Sequence, residues 1–382
     1  SAIQYLAEDP IEYVGSWSSG GSLNAARSNI AGVGTQTLAL GFGGNTPGNP
    51  KSTANEQYNG SSWTELGDLN TGRGAMYSFG TTTAAIGSGG LVYPFTPSAF
   101  ATNLTESWNG SAWTEVNDMT YGRSSGGSAT SGTSTAGLIF GGGYLSPSPN
   151  YALVDYTESW DGTNWTEVAD LNNTRGFVMG GAGTQTSALA YGGNIPASPT
   201  ITLIATESWD GSSWTEVSDM NTPREALTGS GPSNTQAIGV GGEVPPLTGA
   251  TETWDGTSWT EENDLSTVRK SVGSAGTNTA SLAFGGATPS LTTATEEWSF
   301  PPPTATILQE GQLWFNYTSS ALKGYGKAAG IPAGTFSSGG NLNSAVSASG
   351  RGGSQTAAIK AGGFDPGGRI DDTELYNGST WT

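Results

Sequence analysis

The chain has 382 residues, with 13 Lys and Arg against 32 Asp and Glu, a formal charge of −19, 60 Gly, 13 Trp, and neither Cys nor His. The missing Cys and His exclude disulfides, thiolate metal sites, and the commonest general base and transition-metal ligand. The acidic balance argues against nucleic acid or an anionic membrane as partner, and no apolar run approaches the ~20 residues of a membrane helix.

Residues 1–11 read as a short N-terminal segment; Ser1 to Pro10 show no basic region and no long apolar core, so they do not read as an intact secretory signal. From residue 12 to 300 the chain is periodic. The string W-T-E recurs at Trp63, Trp113, Trp165, Trp214 and Trp259, at spacings of 50, 52, 49 and 45. Ten residues after each comes Arg73, Arg123, Arg175, Arg224 or Arg269, and Trp17 precedes Arg27 by the same interval. Six of the eight Arg residues thus occupy one phase.

After each Arg a Gly/Thr-rich stretch leads to a short apolar run ending in Gly-Gly, from Gly43-Gly44 to Gly285-Gly286. A loop of variable length precedes T-E-S-W or a variant, placing Glu56/Tyr58, Glu106/Trp108, Glu158/Trp160, Glu207/Trp209, Glu252/Trp254 and Glu296/Trp298 in one slot. Asn-Gly or Asp-Gly, a hairpin-turn signal, then returns to W-T-E. Each unit reads as a four-stranded antiparallel sheet: strand a after the Arg, b ending in Gly-Gly, c with the first aromatic, d with the second. Such a sheet hides both faces only by packing against its neighbours.

The order Gly-Gly, aromatic on c, Trp on d, then Arg resembles the kelch repeat, and the resemblance implies an all-β propeller. The sixth unit has a, b and c but stops at Ser299-Phe300-Pro301, while Trp17 lies in d phase with nothing before it. The expectation is a six-bladed ring closed by an N-terminal d strand; the alternative is one seven-bladed ring with 299–335 inserted in the sixth blade. Residues 301–335 read as linker and hairpin, turning near Thr318–Ser320. Residues 336–382 read as part of a second kelch module, since Phe336-Ser-Ser-Gly-Gly matches Trp17-Ser-Ser-Gly-Gly.

The repeated Trp and Arg read as structural: Trp as packing between sheets and Arg with Glu as an ion-pair ladder, because an active site is needed once and these residues recur in nearly every unit. Turn residues Asp161, Asp210 and Asp255 exchange with Asn59, Asn109 and Asn377, which suits turn chemistry and argues against a metal charge. No metal and no cofactor are expected. The copper oxidases among kelch-like propellers use Cys and His, which this chain lacks. Function concentrates in variable loops on a rigid scaffold. The b–c loops vary most, and Tyr93, Phe95, Phe100, Tyr144, Tyr151 and Tyr156 fall in or beside them on two adjacent units, forming the candidate ligand surface.

The style of W-T-E-V-x-D-L-N-T-x-R and of E-G-Q-L-W-F-N-Y-T-S-S-A-L-K is similar to structural and fibre proteins of tailed marine bacteriophages. That resemblance implies a non-enzymatic virion or extracellular component, assembled with other virion or filament subunits or as a homo-oligomer, and contacting a host-surface glycan or protein. An extracellular adhesin or filament subunit is the alternative. A glycan-acting enzyme is disfavoured by the lack of a non-repeating carboxylate pair.

Overall fold

A computed structural model describes residues 15–300 apart from 97–98, 146–150, 178–179, 196–200 and 245; beyond these it describes only strands at 4–6, 313–316, 321–324, 350–354, 357–365 and 368–376. The chain divides into two compact units, Tyr13–Ala305 and a smaller one made of Ser1–Glu12 with Thr306–Thr382. In the smaller unit Gln4–Leu6 pairs in parallel with Leu313–Asn316, which pairs in turn with Ala321–Gly324. Gly350–Ser354, Ala357–Asp365 and Gly368–Tyr376 form a separate antiparallel sheet. The N-terminal segment therefore belongs with the C-terminal region rather than standing by itself. Phe336, whose match to Trp17 carries the reading of a second module, lies outside the described residues.

The larger unit is all-β, with six four-stranded antiparallel sheets arranged like propeller blades, each in the order a-b-c-d. Sheet 1 comprises Ala31–Thr35, Leu38–Phe42, Asn55–Tyr58 and Trp63–Glu65, and sheet 2 Tyr77–Thr81, Ala84–Ser88, Thr105–Trp108 and Trp113–Val116. Sheet 3 comprises Gly127–Ser128, Gly137–Phe140, Thr157–Trp160 and Trp165–Val168, and sheet 4 Gly180–Thr184, Ser187–Tyr191, Thr206–Trp209 and Trp214–Val217. Sheet 5 comprises Thr228–Ser233, Gln236–Val240, Thr251–Trp254 and Trp259–Glu261. Sheet 6 takes Gly273–Gly276, Ala280–Phe284 and Thr295–Ser299 from the end of the unit and its fourth strand, Ser16–Gly20, from the beginning, with Trp17 opposite Trp298.

The faces between sheets hold the core. Phe42 packs on Trp113 with ring centroids 4.7 Å apart, Phe140 on Trp214 at 4.9 Å, and Tyr191 on Trp259 at 4.8 Å. Phe284 of sheet 6 meets Trp63 of sheet 1 at 4.8 Å, the same arrangement. Each d-strand indole also reaches the preceding sheet. Trp165, Trp214, Trp259, Trp17 and Trp63 donate Nε1–H to the hydroxyls of Thr105, Thr157, Thr206, Thr251 and Thr295, at 2.9–3.1 Å. Trp113 is the exception: its slot partner is Asn55, and the Trp113 Nε1 and Asn55 Oδ1 atoms are both buried without a hydrogen-bond partner.

Strands a approach one another closely. A Cβ on Gly32 would lie 2.1 Å from the Ser274 carbonyl oxygen, and one on Gly181 would lie 2.4 Å from that of Ser128, so only Gly fits there. Two residues beyond each phased Arg the chain adopts positive φ at Asn29, Ala75, Ser125, Phe177, Ala226 and Ser271, with φ of 51–62°. Their main chains are joined from sheet to sheet. Ser125 N–H donates to Ala75 O, Ala75 to Asn29, Asn29 to Ser271, Ser271 to Ala226, and Ala226 to Phe177, at 2.8–3.0 Å. Beneath this chain of bonds lies a cavity of about 70 Å³, lined by the first residues of strand a in all six sheets and by no ionisable side chain.

Candidate functional site

The recurrent charges are used up internally. Arg27, Arg73, Arg123, Arg175, Arg224 and Arg269 are fully buried, and each pairs with the c-strand Glu of the following sheet position: Glu56, Glu106, Glu158, Glu207, Glu252 and Glu296. In Arg73 one guanidinium nitrogen donates to the carbonyls of Gly89 and Leu104 at 2.9 and 2.7 Å, and the other donates to Glu106 Oε1 at 2.8 Å. The second oxygen, Glu106 Oε2, accepts both the backbone N–H and the side-chain amide of Asn70 at 2.8 Å. Asn24, Asn172 and Asn221 do the same for Glu56, Glu207 and Glu252. The Arg–Glu–Asn set thereby ties the d–a connection to strands b and c. Burial pulls the guanidinium of Arg73 down from its ordinary value, and Glu106 opposes that shift. Both carboxylate oxygens of each of these Glu residues accept hydrogen bonds from the protein itself.

The b–c connections differ from the expected loops. Three of them form antiparallel ribbons: Leu91–Thr96 with Ala99–Ala101, Gly143–Leu145 with Tyr151–Leu153, which Arg123–Ser124 joins as a third strand, and Asn194–Ile195 with Ile201–Thr202. Their β-branched and aromatic composition suits paired strands. The backbones of Tyr93, Phe95, Phe100 and Tyr151 lie on these ribbons, but their side chains fall outside the described residues.

Tyr144 and Tyr156 are brought together, with Tyr121 between them. Tyr121 lies 4.9 Å from the Tyr156 ring and 6.2 Å, edge to face, from Tyr144. Arg123 positions all three. Tyr144 pairs with Arg123 across a short antiparallel bridge, Tyr156 O accepts Arg123 Nη1–H at 2.7 Å, and Tyr121 precedes Arg123 by two residues. All three tyrosines are half-buried. The Tyr121 hydroxyl is 3.5 Å from Glu167 Oε2, whose negative charge is the main cause raising the phenol above its ordinary value. Three clustered rings, one with its hydroxyl beside a carboxylate, offer apolar faces next to a hydrogen-bond acceptor, the chemistry that suits a sugar ring or an amphipathic side chain.

Tyr121 lies in the d–a connection, outside the b–c loops; its signal in the sequence is an aromatic in the slot where the other units carry Ala25, Thr71, Asn173, Thr222 or Thr267. Phe177, 47% exposed at positive φ before the first strand of sheet 4, and Ile201, 49% exposed on its b–c ribbon, are further apolar groups that residue spacing does not single out. Among the described residues no group of three or more acidic side chains is placed to hold a metal ion. No protein-family model matches the chain, and no curated protein matches it, so the likeness to kelch repeats rests on the residues themselves.

Proposed function

We propose that residues 12–300 form a kelch-like, six-bladed propeller closed by the N-terminal d strand. In this reading the propeller serves as a non-enzymatic binding or structural module of a virion appendage, fibre or decoration. The contacts between sheets 6 and 1 support the closure, because they repeat those between consecutive sheets: Phe284 on Trp63, Trp63 to Thr295, and Asn29 to Ser271. The sheet at residues 350–376 is the start of a second module in this reading.

The tyrosine cluster carries the recognition reading. It is a rigid aromatic group on the b–c side, fixed by Arg123 and presented beside a carboxylate, and its ligand is a host-surface glycan or protein. A glycan array probed with the full chain and with Tyr121→Ala and Tyr144→Ala tests it. Binding lost in both variants with unchanged melting supports the assignment; binding retained in both removes it. Mass spectrometry of purified phage particles tests the assembly: the chain found in them supports the virion reading, and its absence from all particles would overturn it.

A further inference from the structure

Among the described residues the d strand of every sheet has a hydrogen-bonded neighbour on one side alone, and such an edge presents N–H and C=O groups to any strand that approaches. Five of the six edges are charged in the same way. Two residues after the d-strand Trp they carry Glu65, Glu115, Glu167, Glu216 and Glu261, all exposed, and five residues after it Asp68, Asp118, Asp170, Asp219 and Asp264. The sixth edge, Ser16–Gly20, has Ser19 and Ser22 at those positions and has one hydrogen-bonded neighbour, Thr295–Ser299. Both of its acidic guards are missing.

Other features set this edge apart. Its Trp17 is half-buried, whereas the five other d-strand Trp residues are at most 9% exposed. Trp17 stands 5.4 Å from Trp298, which stands 6.5 Å from Phe300, itself 37% exposed. The acids opposite Ser18 and Ser19 are engaged, Glu297 by the Tyr58 hydroxyl and Glu296 by Arg269, and Glu262 accepts the Gly15 N–H and the Thr253 hydroxyl. Ser16, Ser18 and Ser19 are exposed.

We propose that Ser16–Gly20 pairs edge to edge with the same strand of a second copy of this chain. A two-fold axis makes such a pair antiparallel, so one short strand supplies both halves of the contact. The choice of occupant follows from charge. In a molecule of net charge −19, any contact made through the other five edges sets rows of Glu against one another, and like charges directly opposite are destabilising. The Ser16–Gly20 edge alone meets its own copy without that penalty, with Trp17 and Phe300 of each copy beside the seam. The association is concentration-dependent, because the strand is short, and it strengthens with salt, because screening weakens the repulsion between the two acidic bodies.

Sedimentation equilibrium of the full chain, from low micromolar to near-millimolar concentration, tests this. The wild type is expected to dimerise. Ser19→Glu, which restores the acid found on the other edges, is expected to weaken the dimer at least about tenfold without moving the melting temperature. Glu167→Gln, on another edge, is expected to change nothing. If Ser19→Glu proves unstable, Ser18→Glu places the charge one residue earlier, and concentration-dependent hydrogen exchange at Ser16–Gly20 reads the same contact without substitution. A wild type that stays monomeric throughout, a dimer indifferent to both Glu substitutions, or pairing of this edge only with a strand from a different protein would overturn the proposal.

Discussion

Replacing Asn55 by Thr should stabilise the larger unit. At five junctions between sheets the d-strand indole donates to a buried Thr hydroxyl, but at the junction of sheets 1 and 2 Asn55 leaves Trp113 Nε1 and its own Oδ1 unpaired. A buried unsatisfied donor costs about 1–3 kcal/mol, and a new neutral hydrogen bond contributes about 1 kcal/mol. Against this stands the bond from Asn55 Nδ2 to Gly67 O at 3.2 Å, which is only partly buried and whose loss costs about 0.5–1.5 kcal/mol. The balance is a gain of about 1 kcal/mol, roughly 2 °C in melting temperature for a unit of this size. Thr157→Val at the junction of sheets 3 and 4 is the converse: it strips Trp214 of its acceptor and should cost about 1–3 kcal/mol. Thermal and urea denaturation of the two variants, with indole N–H exchange of Trp113 by NMR, measures both. If Asn55→Thr destabilises, or if Trp113 N–H exchange is not slowed, the reasoning from the other five junctions is wrong.

Glu106→Ala should cost about 3–5 kcal/mol, because it leaves the fully buried Arg73 without its counter-charge; a loss below about 1 kcal/mol in urea titrations would contradict the pairing. Gly32→Ala forces a methyl group against the Ser274 carbonyl, and should cost at least about 1–3 kcal/mol, whereas Ala at an exposed position such as Ser218 should be neutral. The Tyr58 hydroxyl, pushed up to about 12 by burial first and by its hydrogen bond to Glu297 second, binds its proton more tightly in the folded state than in the unfolded chain. Its contribution to stability is therefore complete below pH 10 and lost as pH rises from 10 towards 12. Melting curves across that range should show a steeper fall for wild type than for Tyr58→Phe, and parallel curves would refute the assignment.

Much of this architecture was legible because it is repeated. Trp, Arg, Glu and Gly-Gly in fixed order specify which strand each residue occupies, and Trp17 in d phase pointed to Ser16–Gly20 as the fourth strand of sheet 6. What is not repeated was harder to read. Asn55 sits in a Thr slot, and its consequence depends on an indole 58 residues later in another sheet. Tyr121 joins Tyr144 and Tyr156 only because the d–a connection of one sheet folds against the b–c ribbon that follows it. The positive φ values at Asn29, Ala75, Ser125, Phe177, Ala226 and Ser271 left no sequence mark at all, since the residue types differ and the constraint comes from the main-chain bonds between sheets.

The origin of the fourth strand of sheet 6 bears on how this unit responds to tension. Ser16 and Ser299, where the chain enters and leaves, are direct partners in one antiparallel ladder. A pull on the two ends therefore separates that ladder from its open end, breaking its bonds one after another like a zip rather than loading them all together. The first strand to come away is the one that spans beginning and end, and the five other sheets feel the force only after it has gone.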